Sequence, residues 1–209
     1  MAASEVAICN QALGWLGGEL IISLDDNSVE AKLCKANYTN LRDAVLEERE
    51  WTFAVKRLTA AALLESPLYG FDRAFQIPPE VLRVLQVSRA GSDVQAGGSA
   101  GGDRHGTGQG RETRIDWLRE GATIVANNAD SIYIRALVRI TDTTKFSPAF
   151  GQCLAARMAM DLAIPLTNSE KMQRAMAAMY GEKIMLAASS DGMQGRSYRT
   201  RSDSLTVVR

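Results

Sequence analysis

The chain of 209 residues balances 24 Lys and Arg against 24 Asp and Glu, so bulk charge draws it toward neither nucleic acid nor a membrane surface. That length allows one domain or two small ones, with a core large enough to fold without a metal or a disulfide. Cys9, Cys34 and Cys153 are odd in number, lack a CxxC spacing and sit in apolar contexts, so they read as buried reduced thiols.

From the N-terminus, no basic stretch precedes an apolar segment as a secretory signal requires. No apolar run approaches the ~20 residues that span a bilayer. Ser4 to Leu16 reads as the first helix, with Ile8, Ala12, Trp15 and Leu16 on one face and Gly17-Gly18 ending it. Glu19 to Asp26 is a connector whose Ile21, Ile22 and Leu24 are apolar enough to pack. A second helix follows, capped by Asn27 or Ser28, with Ala31, Cys34, Tyr38, Leu41 and Val45 forming a narrow apolar stripe. At Trp51 the period changes. Trp51, Phe53 and Val55 alternate with polar or small residues, which predicts a strand and hence a direct passage from a helical layer into a sheet.

The stretch from Ala60 to Leu64 is ambiguous between continuing that strand and crossing over. Phe71, Arg73, Phe75 and Ile77 alternate as a strand stopped by Pro78-Pro79, and Val81 to Ser88 is a further β-rich run. Gly91 to Gly110 holds eight glycines and little apolar surface, which predicts a mobile loop between two strands. A glycine-rich phosphate cradle would need a helix after it. Arg114 to Arg119 reads as a strand, so that reading is set aside, and His105 within the loop is read as solvated. Ile115 to Leu118 and Thr123 to Ala126 form a hairpin about Glu120-Gly121. In the long strand Ser131 to Ile140, Ile132, Ile134, Ala136 and Val138 face one side. Tyr133, Arg135, Leu137 and Arg139 face the other.

Ser147-Pro148 opens the third helix in cap-then-proline order, Phe150, Leu154, Met158 and Leu162 recur every fourth residue, and Pro165 is expected to end it. Thr167 and Glu170 have capping-box spacing for a fourth helix, to which Met172, Ala175, Met176, Met179, Ile184 and Leu186 are expected to lend buried surface. Short connections predict that helix one pairs with helix two and helix three with helix four. Past Ser189 the helical period is lost and arginines accumulate.

Several stretches resemble one known family in order and spacing. They are Asn10 to Leu13 (NQAL), Leu16-Gly17, Ile22 to Asp26 (ISLDD), then Ala31, Cys34, Tyr38, Arg42-Asp43, Leu46, Trp51 and Phe53-Ala54. The middle pattern FDRAFQIPPEVLRVLQV, the hairpin and long strand through Asp142, and the closing run AARMAMDLAIPLTNSEKMQRAMAAMYGEK are similar to it too. The family is the tail tubular protein A group, the head-to-tail adaptors of tailed bacteriophages. The resemblance covers most of residues 5–190 apart from the glycine loop.

The expected fold is α+β: a four-helix layer built from both chain ends, residues 1–50 and 147–190. Between them lies an antiparallel β region, 51–146, and after them an extended tail, 191–209. The resemblance implies a structural connector in the virion neck, assembled in the host cytoplasm. It would be a ring of about twelve copies between portal protein and tail nozzle. Packaged DNA would pass through without sequence-specific binding, and no membrane would be involved.

The tail is expected to anchor the portal through Arg196, Tyr198, Arg199, Arg201, Leu205, Val207, Val208 and Arg209, residue types that carry interface energy or extend a partner's sheet. Arg104, His105 and Arg111 in the glycine loop are candidates for contact with the tail protein. Neither cofactor, metal nor catalytic constellation is expected, and Glu47, Glu48 and Glu50 read as a solvated acidic face. The alternative is a nucleic-acid-binding or regulatory module using the arginine tail. A cell-wall hydrolase, which needs two carboxylates across a sugar cleft, is the less favoured third reading.

Overall fold

A computed structural model describes residues 4–89, 115–127 and 129–194. Four helices and two small antiparallel sheets make it an α+β fold. The described chain divides into two compact units. The helical unit takes the residues up to Leu41, Trp51–Phe53 and those from Thr143 onward, and the β unit takes Arg42–Glu50 and Ala54–Asp142.

In the helical unit, α1 (Glu5–Leu16) starts at Ser4, whose side chain accepts from the Ala7 amide, and stops at Gly17, where φ is 73°. Only glycine takes that left-handed geometry without steric cost. The connector is then fixed by side chains. Asn10 both donates to the Ile21 carbonyl and accepts from the Ile21 amide, each at 2.8 Å. Asp26 accepts from the Ile22 and Ser23 amides at 2.8 and 2.9 Å. Ser28 caps α2 (Val29–Glu48) by accepting from Ala31.

The centre of this unit is α3 (Pro148–Thr167), which buries Phe150, Leu154, Met158, Leu162 and six further residues. It packs against both α1 and α4 (Glu170–Gly192). Helix α1 thus lies along α3 rather than pairing with α2 over its length. It meets α2 where the Cys9 thiol, itself buried, hydrogen-bonds Cys34. That bond and the burial push the Cys9 thiol far above its ordinary pKa. All three cysteines are buried and unbridged.

Four sequence expectations change here. Trp51 to Phe53 is not strand: Thr52–Ala54 is a single 3-10 turn. The rings of Trp51 and Phe53 nonetheless share a partner, both packing on Phe150 at 5.0 and 5.1 Å. Pro165 does not end α3. Its fixed φ is compatible with a helical residue, it lies in the last turn, and the end comes at Asn168 with φ 48°. Thr167 is not the cap of α4, because its hydroxyl donates to the Ala163 carbonyl at 2.6 Å while Ser169 accepts from Met172. Finally, α4 buries Tyr180, Ile184, Ala187 and Asp191 rather than a methionine stripe. Ala175 and Leu186 are exposed, and Met172, Met176 and Met179 are half-buried.

In the β unit, β6 (Ser131–Val138) lies between β1 (Val55–Ala61) and β3 (Val81–Arg89), and β5 (Thr123–Ala126) lies between β2 (Arg73–Gln76) and β4 (Trp117–Glu120). The β4–β5 hairpin turns at Gly121, φ 57°. The chain leaves the first sheet for the second at Ala62, which bridges to Phe75. The core draws Ile132, Ile134, Ala136 and Val138 from β6 and Phe75, Ile124 and Ala126 from the second sheet, all at most 1% exposed. The last turns of α2 belong to this unit and bury Val45 and Leu46. No described helix is long and apolar enough to cross a membrane.

Candidate functional site

All the residues expected from sequence to contact partners lie outside the described residues: Arg196, Tyr198, Arg199, Arg201, Leu205, Val207, Val208 and Arg209 in the tail, Arg104, His105 and Arg111 in the loop. What the described residues do form is a groove on the outer face of the β1–β6–β3 sheet. It has a volume of about 430 Å³ and is lined by Arg57, Leu58, Thr59, Gln86, Ser88, Tyr133 and Arg135.

Strand register assembles it. Arg57 of β1 stands opposite Arg135 of β6, and Gln86 of β3 stands opposite Arg135 on the other side. One step along β6, Tyr133 is flanked by Thr59 and Ser88. The face therefore carries two rows, Arg57–Arg135–Gln86 and Thr59–Tyr133–Ser88. The strands in each row are about 4.8 Å apart and the rows about 7 Å apart.

Polarity on the β3 side depends on a bulge. Val84 pairs with Ala136, but Gln86, not Leu85, pairs with Arg135. With no bulge, Leu85 would oppose Arg135 and Val87 would oppose Tyr133, so the groove would be apolar there. The extra residue flips Gln86 and Ser88 outward and returns Val87, 2% exposed, to the core. A second register shift, between Val81 and Arg83, leaves Leu82 out of the ladder. Its carbonyl accepts from Arg119 Nη1 of β4 at 3.1 Å.

Charge on this face is uneven. Arg139 donates to Asp43 at 2.6 Å, and Asp43 also accepts from Arg42 at 2.8 and 2.9 Å. Arg135 reaches Glu50 at 3.4 Å. The end of α2 and the residues after it thus supply acids to β6, at Arg135, and to Arg139 just beyond it, but not to Arg57 of β1. Among the described residues, Arg57 has no ion pair. Like charges directly opposite one another on neighbouring strands destabilise a sheet, so the Arg57–Arg135 pair is a local cost that a bound anion would remove.

Sequence alternation places Tyr133 and Arg135 on one face. Arg57 could have been added by pairing β1 with β6. Gln86 and Ser88 could not, because nothing in the β3 sequence announces the bulge. Among the described residues no three His, Cys, Asp or Glu side chains are grouped as ligands for a metal ion. No model of a known protein family matches this chain, and no curated protein matches its sequence.

Proposed function

We propose that this chain is a structural head-to-tail adaptor of a tailed bacteriophage. It acts as a ring of about twelve copies between portal and tail nozzle, around the path of the DNA. One observation carries the reading furthest. The stretches that resemble the adaptor family coincide with the residues that build the described fold. Asn10 grips Ile21, Gly17 ends α1, Asp26 holds the connector and Asp43 ties α2 to Arg139, the residue after β6. Trp51 and Phe53 join the aromatic cluster.

Exposed apolar side chains support a protein that functions in an assembly. Leu64, Leu68 and Tyr69, between β1 and β2, are 103%, 99% and 89% exposed, and Leu186 and Met193 on and after α4 are 71% and 80% exposed. Leu64, Leu68 and Tyr69 fall in one short segment, and apolar groups clustered at a surface are what partners cover. The test is electron microscopy of the full-length protein mixed with its cognate portal. A ring seated on the portal, and weak affinity for free DNA, is the expected result. Steeply salt-dependent binding of free DNA with no ring would replace this reading with the nucleic-acid module.

A further inference from the structure

We propose that the outer groove of the β1–β6–β3 sheet is a binding site for a phosphate-bearing small molecule. The phosphate would lie between Arg57 and Arg135, and a hydroxyl-bearing body would lie across the Thr59–Tyr133–Ser88 row. This site is independent of the adaptor reading.

Three observations carry it. The first is the juxtaposition of Arg57 and Arg135 at one register position, with Glu50 engaging only Arg135, and at 3.4 Å. A tetrahedral oxyanion between two guanidinium groups accepts charge-assisted hydrogen bonds from both and removes their repulsion. The second is the composition of the lining. Guanidinium and hydroxyl groups occupy five of the seven lining positions, Arg57, Arg135, Thr59, Tyr133 and Ser88, beside Gln86 and Leu58, a donor-rich set that suits a ligand with many acceptor oxygens. The third is the Leu85 bulge, which turns polar side chains into the groove where an unbroken register would have placed Leu85 and Val87. Bulges of this kind re-aim side chains at sites. The volume, about 430 Å³, falls among ordinary small-ligand pockets.

Phosphate is favoured over carboxylate by donor number. A carboxylate is satisfied by one guanidinium fork and would leave the second arginine and the hydroxyl row unused. A phosphate monoester presents three peripheral oxygens to both arginines, and its ester oxygen directs the rest of the ligand along the sheet. A body with hydroxyl groups then meets Thr59, Tyr133 and Ser88, one row away.

The test is calorimetric titration of the full-length protein, at fixed ionic strength, with inorganic phosphate, glucose 6-phosphate and succinate. Saturable binding in the order sugar phosphate, phosphate, succinate is expected. Arg57→Gln should weaken both phosphate ligands at least about tenfold, the loss of one charge-assisted pair. Its melting temperature without ligand should be equal to or above that of the parent, because repulsion is relieved. Glu50→Gln should tighten phosphate binding several-fold by freeing Arg135 from its competing carboxylate. Lys171→Gln, an exposed change on α4, should alter nothing. Absence of saturable phosphate binding, unchanged affinity in Arg57→Gln, weaker binding in Glu50→Gln, or succinate binding as tightly as the sugar phosphate would each overturn the proposal.

Discussion

Asp43 holds two guanidinium groups at once, and one of them, Arg42, has a side chain only 5% exposed. A buried charge whose partner is removed keeps its desolvation cost and loses the compensation. Asp43→Asn is therefore expected to cost about 3 kcal/mol in chemical denaturation. The exposed pair of Asp25 with Lys35 is the contrast, since both side chains remain in solvent. Lys35, hydrogen-bonded at 2.6 Å, holds the Asp25 carboxyl below its ordinary range. A depressed folded-state pKa stabilises above the unfolded value and loses that contribution as pH falls through the folded one. The pair therefore helps near neutrality and is lost in acid. Asp25→Asn should barely change stability near neutrality and should remove this part of the acid sensitivity. Equal losses for the two variants would contradict the assignment of Asp43 as the buried partner. Each buried cysteine changed to Ala or Ser should cost about 1–3 kcal/mol and leave assembly intact, as expected of packing groups.

At the scale of elements, the starts of α2 and α3 and the end of α1 at Gly17 were legible, and the end of α3 and the start of α4 were not. Ser28 and Ser147 lie where a cap must, next to an apolar period, and both accept from the expected amide. Thr167 and Ser169 compete for one role, and the winner depends on Thr167 finding the Ala163 carbonyl, which sequence does not display. Asp191 is the clearest loss. It looks like the first charge of a polar tail, yet it is 5% exposed and accepts from the Thr52 amide and hydroxyl at 2.7 and 2.8 Å. Its partner is remote in sequence, so no local pattern could reveal it. A chain truncated after Ser190 should accordingly melt below the parent, by the roughly 1–3 kcal/mol of hydrogen bonds to a charged group. Asp191→Ala should reproduce the loss. If both melt like the parent, those bonds contribute nothing. The groove divides the same way: β6 showed its two faces by alternation, while β3 hid a bulge inside a run of apolar and polar residues.

For the whole molecule, the α+β class was readable because helical and strand periods fall in long separate blocks of the chain. Partner surfaces were not, because the residues proposed for them carry no period at all. Removing residues 195–209 leaves every described element intact, so melting should be nearly unchanged. The adaptor reading expects such a chain to fail at seating on portal rings. Normal seating would move the anchor into α3 and α4.

The way the two units share the chain also has a consequence in time. Apart from the end of α2, the β unit is one continuous stretch, Ala54–Asp142, whereas α1 rests on α3, which is synthesised after that stretch. Contacts close in sequence form fast, and contacts between distant segments wait on loop closure. On the ribosome, α1 emerges before α3 with Ile8, Leu13 and Leu16 uncovered, and the described strands of the β unit are all made before α3 exists. Pulse-labelled hydrogen exchange should accordingly protect the amides of β6 before those of α1, although α1 precedes β6 in the chain.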